Sequence, residues 1–226
     1  MMLAPPLPWS EIQTVLLDMD GTLLDLHFDN FFFQETVPRA YANKNGLDFA
    51  TAKANVFAAY QENRGTLAWY DLDYWSRLLD LDIPILKEEV AHLIQVHPHV
   101  LTFLADLQAS GRPAHLVTNA HAVSLNMKLA RTPIGAFLTS TITSHELGKA
   151  KEEVEFWPLL VRRLGFDPAT TLLVDDSEPV LDAAKQFGIA HLRHSASPSS
   201  GLPPKRSDRF HSFLDFRELA LPNVRE

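Results

Sequence analysis

Cysteine is absent from this chain of 226 residues, which rules out disulfides, thiol nucleophiles and cysteine-ligated metals. Basic residues are scarce relative to acidic ones, and the formal net charge of −8 argues against a non-specific nucleic-acid binder, which needs a basic face. No apolar run approaches the length that spans a bilayer. The segment Met1 to Ser10 lacks basic residues and carries Pro5, Pro6 and Pro8, so it makes a poor secretory signal and leaves the cytoplasm as the expected location. Internal repeats are missing as well. A hydrophobic content of 46% and a charged content of 21% describe an ordinary globular chain, long enough for one large domain or one domain with an insertion. An acidic protein can still bind an anion where it gathers cations and backbone donors locally.

Four short apolar runs bounded by turn or polar residues read as buried parallel strands: Val15 to Leu17, Ala114 to Val117, Thr171 to Val174 and Ile189 to Leu192. Helical patterns run from Val100 to Gln108, from Glu152 to Leu164 and from Glu178 to Phe187, and glycines follow where a helix end wants a left-handed residue. Strand alternating with helix implies α/β architecture with a doubly wound parallel sheet. Residues 25–97 break the alternation. They read as consecutive helices, Phe28 to Tyr41 ending near Asn45-Gly46, Phe49 to Gln61, Leu72 to Leu79 and Ile85 to Val96, a lid-sized α-helical insertion. The core then comprises residues 1–24 and 98–226. Ser195 to Ser207, rich in Ser, Pro and Gly, reads as a mobile surface loop.

Asp18-Met19-Asp20-Gly21-Thr22 follows the first apolar run. Side chains at i and i+2 of a strand share a face, so Asp18 and Asp20 look into one space, and Gly21 lets the chain turn behind them. One carboxylate can attack while the other moves a proton. An Asp-Gly hairpin turn is the plain alternative, but two other predicted strands end in comparable groups: Thr118-Asn119 and Asp175-Asp176-Ser177. Ligands of an open parallel sheet bind beyond the carboxyl ends of its strands, so these groups share one rim. Carboxylates gathered in one pocket repel each other unless a cation is present, and oxygen-only donors select Mg2+ over zinc. The expected metal ligands are Asp18, the backbone carbonyl of Asp20, and Asp176, with Asp175 alongside as direct or water-mediated support.

D-M-D-G-T at 18–22, V-T-N at 117–119, a lysine near 150 and V-D-D-S at 174–177 together resemble the four motifs of the haloacid dehalogenase (HAD) superfamily, and the helical insertion resembles its C1-type cap. The resemblance implies that Asp18 is a nucleophile forming an aspartyl-phosphate, and that Asp20 protonates the leaving oxygen and then activates water. It implies that Thr118 and Asn119 hold phosphoryl oxygens and that a lysine offsets the local charge. Lys149 and Lys151 both lie in range, and the frequent family pattern of lysine followed by proline is absent; Lys151 is preferred because Lys-Glu opens the following helix. Dehalogenases of the superfamily usually lack the second aspartate, so Asp20 favours phosphoryl transfer.

Substrate selection falls to the insertion. Its segment Thr66 to Trp75 is dense in aromatic rings on which a purine could stack, and Asp29, Asn30 and Arg64 could contact a base. That segment, the Asp-Met-Asp-Gly-Thr-Leu-Leu-Asp-Leu stretch and the Lys-Glu-Glu arrangement resemble the purine 5′-nucleotidases of the superfamily that act on GMP and IMP. The expected partner is a small phosphate ester, a purine nucleoside monophosphate first, with no nucleic acid or membrane. Alternatives are a sugar-phosphate or phosphoglycolate phosphatase, a phosphomutase, or a non-catalytic module that kept the fold. The sequence assigns no oligomeric state.

Overall fold

The computed structural model describes residues 5–222, so the first four residues of the proline-bearing N-terminal segment, and the last four of the chain, lie outside it. Six strands form one parallel sheet in the order β3-β2-β1-β4-β5-β6, namely β1 Thr14–Leu17, β2 Ala114–Thr118, β3 Ser140–Thr143, β4 Thr171–Asp175, β5 His191–Ser195 and β6 Ser212–Phe213. The two faces of β1 enter different cores. Val15 and Leu17 pack with Val100, Leu104 and Leu107, whereas Leu16 packs with Phe156, Trp157 and Leu160. Such a strand, covered on both sides, reads as a continuous apolar run rather than an alternating one.

The helices on the sheet are α6 Val100–Ala109, α7 Ala122–Arg131, α8 Ser144–Leu147, α9 Phe156–Leu164 and α10 Glu178–Phe187. Strand β5 lies further along than the apolar run Ile189 to Leu192 suggests. Gly188 ends α10 in the left-handed region, and Ile189 is spent beneath that helix, its N–H donating to Ala184 O. Helix α9 starts at Phe156 instead of Glu152, because Ala150 N–H bonds the Glu153 carboxylate and Lys151 N–H bonds Asn119, which holds residues 150–153 in a turn. The Ser195–Ser207 stretch divides: residues 195–199 are packed, with Ala196 and Ser199 buried and Pro198 O accepting from Leu26 N–H, whereas residues 200–205 lie exposed on the surface as the composition suggests.

Between β1 and α6 the chain forms α1 His27–Phe31, α2 Val37–Asn45, α3 Phe49–Asn63, α4 Leu72–Leu79 and α5 Ile83–Glu89, a helical unit with its own core of Phe28, Phe32, Val56, Tyr60 and Trp75. A wide turn at Phe32–Thr36 joins α1 to α2. It lies just before Pro38, whose missing N–H and ring disfavour a regular turn there. Helix α5 is shorter than the pattern from Ile85 to Val96 implies. Asp82 caps it through Ile85 N–H, and beyond Glu89 the chain turns back so that Leu24 pairs with Val96, Asp25 N–H with Gln95 O and His97 N–H with Leu23 O. Among the described residues no helix is long and apolar enough to cross a membrane.

Candidate active site

Strands β1, β2 and β4 lie side by side, so their carboxyl ends deliver Asp18, Thr118 with Asn119, and Asp175 with Asp176 to one rim. The three carboxylates of Asp18, Asp175 and Asp176 bring oxygens within 4.8 Å of one another. Lys151 stands among them. Its Nζ donates to Asp18 Oδ1 at 2.5 Å, Asp175 Oδ2 at 2.8 Å and Val117 O at 3.0 Å, which uses all three of its hydrogens. Lys149 is a surface residue paired with Glu153 at 2.7 Å.

Gly21 has φ +89, and a Cβ at that position would lie 2.5 Å from Asp176 Oδ2. The glycine therefore serves twice, permitting the left-handed turn and letting the main chain lie against the Asp176 carboxylate. Asp175 has both oxygens engaged, Oδ2 by Lys151 and Oδ1 by Ser177 N–H at 2.9 Å. The Asp20 carboxylate stays outside the three-carboxylate cluster and bonds Lys128 instead.

Three carboxylates face one ammonium, so two negative charges are left uncompensated in a buried place. Burial pushes the Asp18 carboxyl up to about 6 against the pull of Lys151, with Asp175 adding to the rise. Burial, then the neighbouring Asp18 and Asp175, raise Asp176 well above the usual carboxylate range. Asp175 is raised by burial too, and Asp20 is pushed up to about 6 by burial against Lys128. Burial alone would lower Lys151, but Asp175 and Asp18 outweigh it and hold the ammonium form. An all-oxygen donor set carrying two unbalanced charges suits a hard divalent cation.

Asn119 links this floor to the helical unit. Its Oδ1 accepts from Lys151 N–H at 3.0 Å, and its Nδ2 donates to Glu152 Oε2 at 2.8 Å. The other Glu152 oxygen accepts from Tyr70 O–H at 2.6 Å. Thr118 Oγ1 accepts from Ala120 N–H, and the threonine faces a cavity of about 420 Å³. Asp18, Asp20, Asn119, Lys151, Asp175 and Asp176 line its floor, and Phe33, Phe57, Tyr60, Trp69 and Tyr70 line the opposite side with Asn30, Gln34 and Gln61.

Of the aromatic segment 66–75, Trp69 and Tyr70 reach the cavity, while Trp75 is buried and donates through Nε1 to Trp69 O. Of the polar candidates for contacting a base, Asn30 lines the cavity with its side chain uncommitted to any ion pair. Asp29 is spent on Lys128 and Lys87, and Arg64 is exposed away from the cavity. A second cluster, Asp71, Asp73 and His121, owes its position to helix capping: Asp71 accepts from Asp73 and Tyr74 N–H, and His121 Nδ1 from Val123 N–H.

Sequence reasoning missed Glu152 and Lys128 as members of the site. Glu152 carried a signal, since it stands where a proline often follows the motif lysine. Lys128 carried none, because Val123, Leu125, Met127 and Leu129 alternate with polar or small residues, a strand-like pattern in what folds as α7.

A model of the haloacid dehalogenase-like hydrolase family matches residues 12–188. The chain is 41% identical over 211 residues to the GMP/IMP nucleotidase YrfG of Escherichia coli (strain K12), covering 93% of this chain and 95% of that protein. It is 26% identical over 206 residues to the phosphoglycolate phosphatase of Shigella boydii serotype 4 (strain Sb227), covering 80% of each. Among solved structures, the HAD phosphatase from Thermococcus onnurineus matches the fold with a TM-score of 0.79 at 24% identity, covering 92% of this chain and 96% of that one.

Proposed function

The chain belongs to the haloacid dehalogenase-like hydrolase family, and from that premise we propose that it hydrolyses purine nucleoside monophosphates, GMP and IMP first, through an aspartyl-phosphate on Asp18. The observation that carries this reading is the meeting of Asp18, Asp175 and Asp176 around the Lys151 ammonium at the floor of an aromatic-lined cavity.

In the first step an Asp18 carboxylate oxygen bonds to phosphorus, the ester P–O bond breaks, and Asp20 gives its proton to the departing oxygen. In the second, Asp20 takes a proton from water, the resulting hydroxide oxygen bonds to phosphorus, and the Asp18–phosphorus bond breaks to release inorganic phosphate. Lys151 keeps Asp18 ionised and offsets charge on the phosphoryl group, while Thr118 and Asn119 contact phosphoryl oxygens. Asp18, Asp176 and the Asp20 main-chain carbonyl would hold Mg2+, supported by Asp175, and the bound cation supplies neutralisation of the phosphoryl charge. The donor chemistry fits that ion.

Two observations support a purine nucleoside leaving group: the likeness to YrfG, and Phe33, Phe57, Trp69 and Tyr70 on the cavity wall as surfaces for a flat base. Asn30, Gln34 and Gln61 on the same wall would also suit a hydroxyl-rich sugar phosphate, which is the second reading, beside the likeness to a phosphoglycolate phosphatase. The absence of cysteine fits an enzyme of the cytoplasm.

A panel of phosphorylated metabolites tests this. GMP and IMP turned over well above sugar phosphates and phosphoglycolate, silenced by EDTA and restored by Mg2+, is the expected result. Preference for a sugar phosphate would move the assignment to the second reading, an isomer in place of free phosphate would indicate a mutase, and indifference to EDTA would remove the metal.

A further inference from the structure

Asp20 does not stand alone at the cavity. Its Oδ1 accepts from Lys128 Nζ at 2.6 Å, and the same ammonium donates to Asp29 Oδ2 at 2.6 Å. The other Asp29 oxygen accepts from Lys87 Nζ at 2.8 Å, which also reaches Ser124 Oγ at 3.2 Å. The chain of bonds crosses between the two parts of the molecule. Asp20, Lys128 and Ser124 belong to the sheet-bearing core, with the last two on α7, whereas Asp29 on α1 and Lys87 on α5 belong to the helical unit.

These are buried charges. Lys87 and Lys128 are 2% and 1% exposed, so carboxylates must replace the water they have lost. The Phe28 ring assists, lying 5.0 Å from Lys87 Nζ and 5.2 Å from Lys128 Nζ. Two carboxylates and two ammoniums balance, and the seam is neutral as a unit.

Lys128 is not on the cavity wall, although Asp20 and Asp29 both are. From behind Asp20 it cannot touch a substrate, but it governs where that carboxylate points. Holding Oδ1 leaves Oδ2 as the oxygen that exchanges a proton with the reacting group. Proton transfer requires hydrogen-bond reach, and a misplacement of about 1 Å can cost about a hundredfold in rate.

We propose that Lys128 is a positioning residue for Asp20 and that Asp29 sets Lys128 in place, so the helical unit is part of the acid–base apparatus as well as a wall of the cavity. This rests on Asp20 acting as the acid–base group, as proposed above.

The test compares K128M, D29N, the double variant K128M/D29N and D20N, all loaded with Mg2+, on two substrates. One is the nucleotide turned over fastest in the panel, whose sugar oxygen must be protonated as it leaves. The other is p-nitrophenyl phosphate, whose leaving group departs as an anion and is followed by single-turnover release. K128M is expected to lower kcat on the nucleotide about tenfold to a hundredfold with KM changed less than about twofold, and to leave single-turnover release of p-nitrophenolate within about twofold of the parent. D29N should show the same pattern more weakly. Because K128M leaves Asp20 without its ammonium and Asp29 with Lys87 alone, K128M/D29N, which removes one charge of each sign, serves if the single variant fails to fold, and should lose nucleotide turnover in the same way.

Unchanged nucleotide turnover in folded K128M or K128M/D29N would overturn the inference, and so would equal losses on both substrates, which mark a seam that only holds the fold. D20N with full nucleotide turnover would instead overturn the acid–base reading itself. D20N inactive beside an active K128M would sink the positioning role alone.

Discussion

Lys151 shows how little freedom the centre has. Three hydrogens meet three acceptors, and the residue is buried with two of the carboxylates it serves. Asp18 is the member whose loss should stop chemistry without harming the fold. Asp18→Asn removes the attacking carboxylate but keeps an oxygen for Lys151, and it relieves repulsion from Asp175 and Asp176. The expected outcome is turnover at background, with a metal-free melting temperature no lower than the parent's. Activity assays beside thermal unfolding check it, and full activity would remove the covalent route. Legibility at this scale was uneven. Asp18, Thr118 and Asp176 advertise themselves by standing at the ends of apolar runs. Asp29, which the sequence offers as a contact for a base, is instead consumed by two lysines, and no local pattern announces that pairing across 58 and 99 positions of chain.

At the scale of elements, the turn at residues 150–153 matters more than the helix the periodicity extends through it. Giving up the first turn of α9 lets Lys151 N–H reach Asn119, and lets Glu152 bridge Asn119 to Tyr70 of the helical unit. A hydrogen bond of this kind contributes a net of about 0.5–1.5 kcal/mol, so Tyr70→Phe should weaken binding of inorganic phosphate by about twofold to tenfold through a less constrained Asn119. Product-inhibition constants measure that, and an unchanged constant would show that Asn119 is held well enough by Lys151. Helices α4 and α10 were legible to the residue: Asp71 caps the start of α4 through Asp73 and Tyr74 N–H, and Gly188 closes α10 in the left-handed region, although Ser177 makes no side-chain cap at its start. Strand β3, Ser-Thr-Ile-Thr at the sheet edge, was not, because a half-exposed polar edge lacks the apolar run that marks β1, β2 and β4.

For the molecule as a whole, the uncompensated carboxylates couple folding to pH and to metal. Asp18 has an ordinary value of 3.8 and stands at about 6 in the folded chain, and Asp175 and Asp176 are raised as well. Between those two values the folded state holds more protons than the unfolded one, so the stability of the metal-free protein falls as pH rises from about 4 through about 6. Asp29 works in a separate window. Burial would raise it, but Lys128 and Lys87 bring it down to about 2, so its contribution is present above 3.8 and is lost as pH falls from there. Mg2+ binds ionised carboxylates, so its gain in melting temperature should be larger at about pH 7.5 than at about pH 5. Thermal unfolding with Mg2+ against EDTA at both pH values tests this, and an equal gain would mean that the ion binds elsewhere.

By itself the sequence determined the parallel sheet, the helical insertion and the acidic rim, because burial on both faces and the turn beyond each strand end are local demands written in local residues. Tertiary structure decided between Lys149 and Lys151 for Asp18, left the Asp20 carboxylate outside the cluster of the other three, and chose which groups cross the seam to Asp20. Those outcomes depend on distances between residues far apart in the chain, such as Asp18 and Lys151, which are 133 positions apart, and buried charge is satisfied by whatever the packed elements bring within reach.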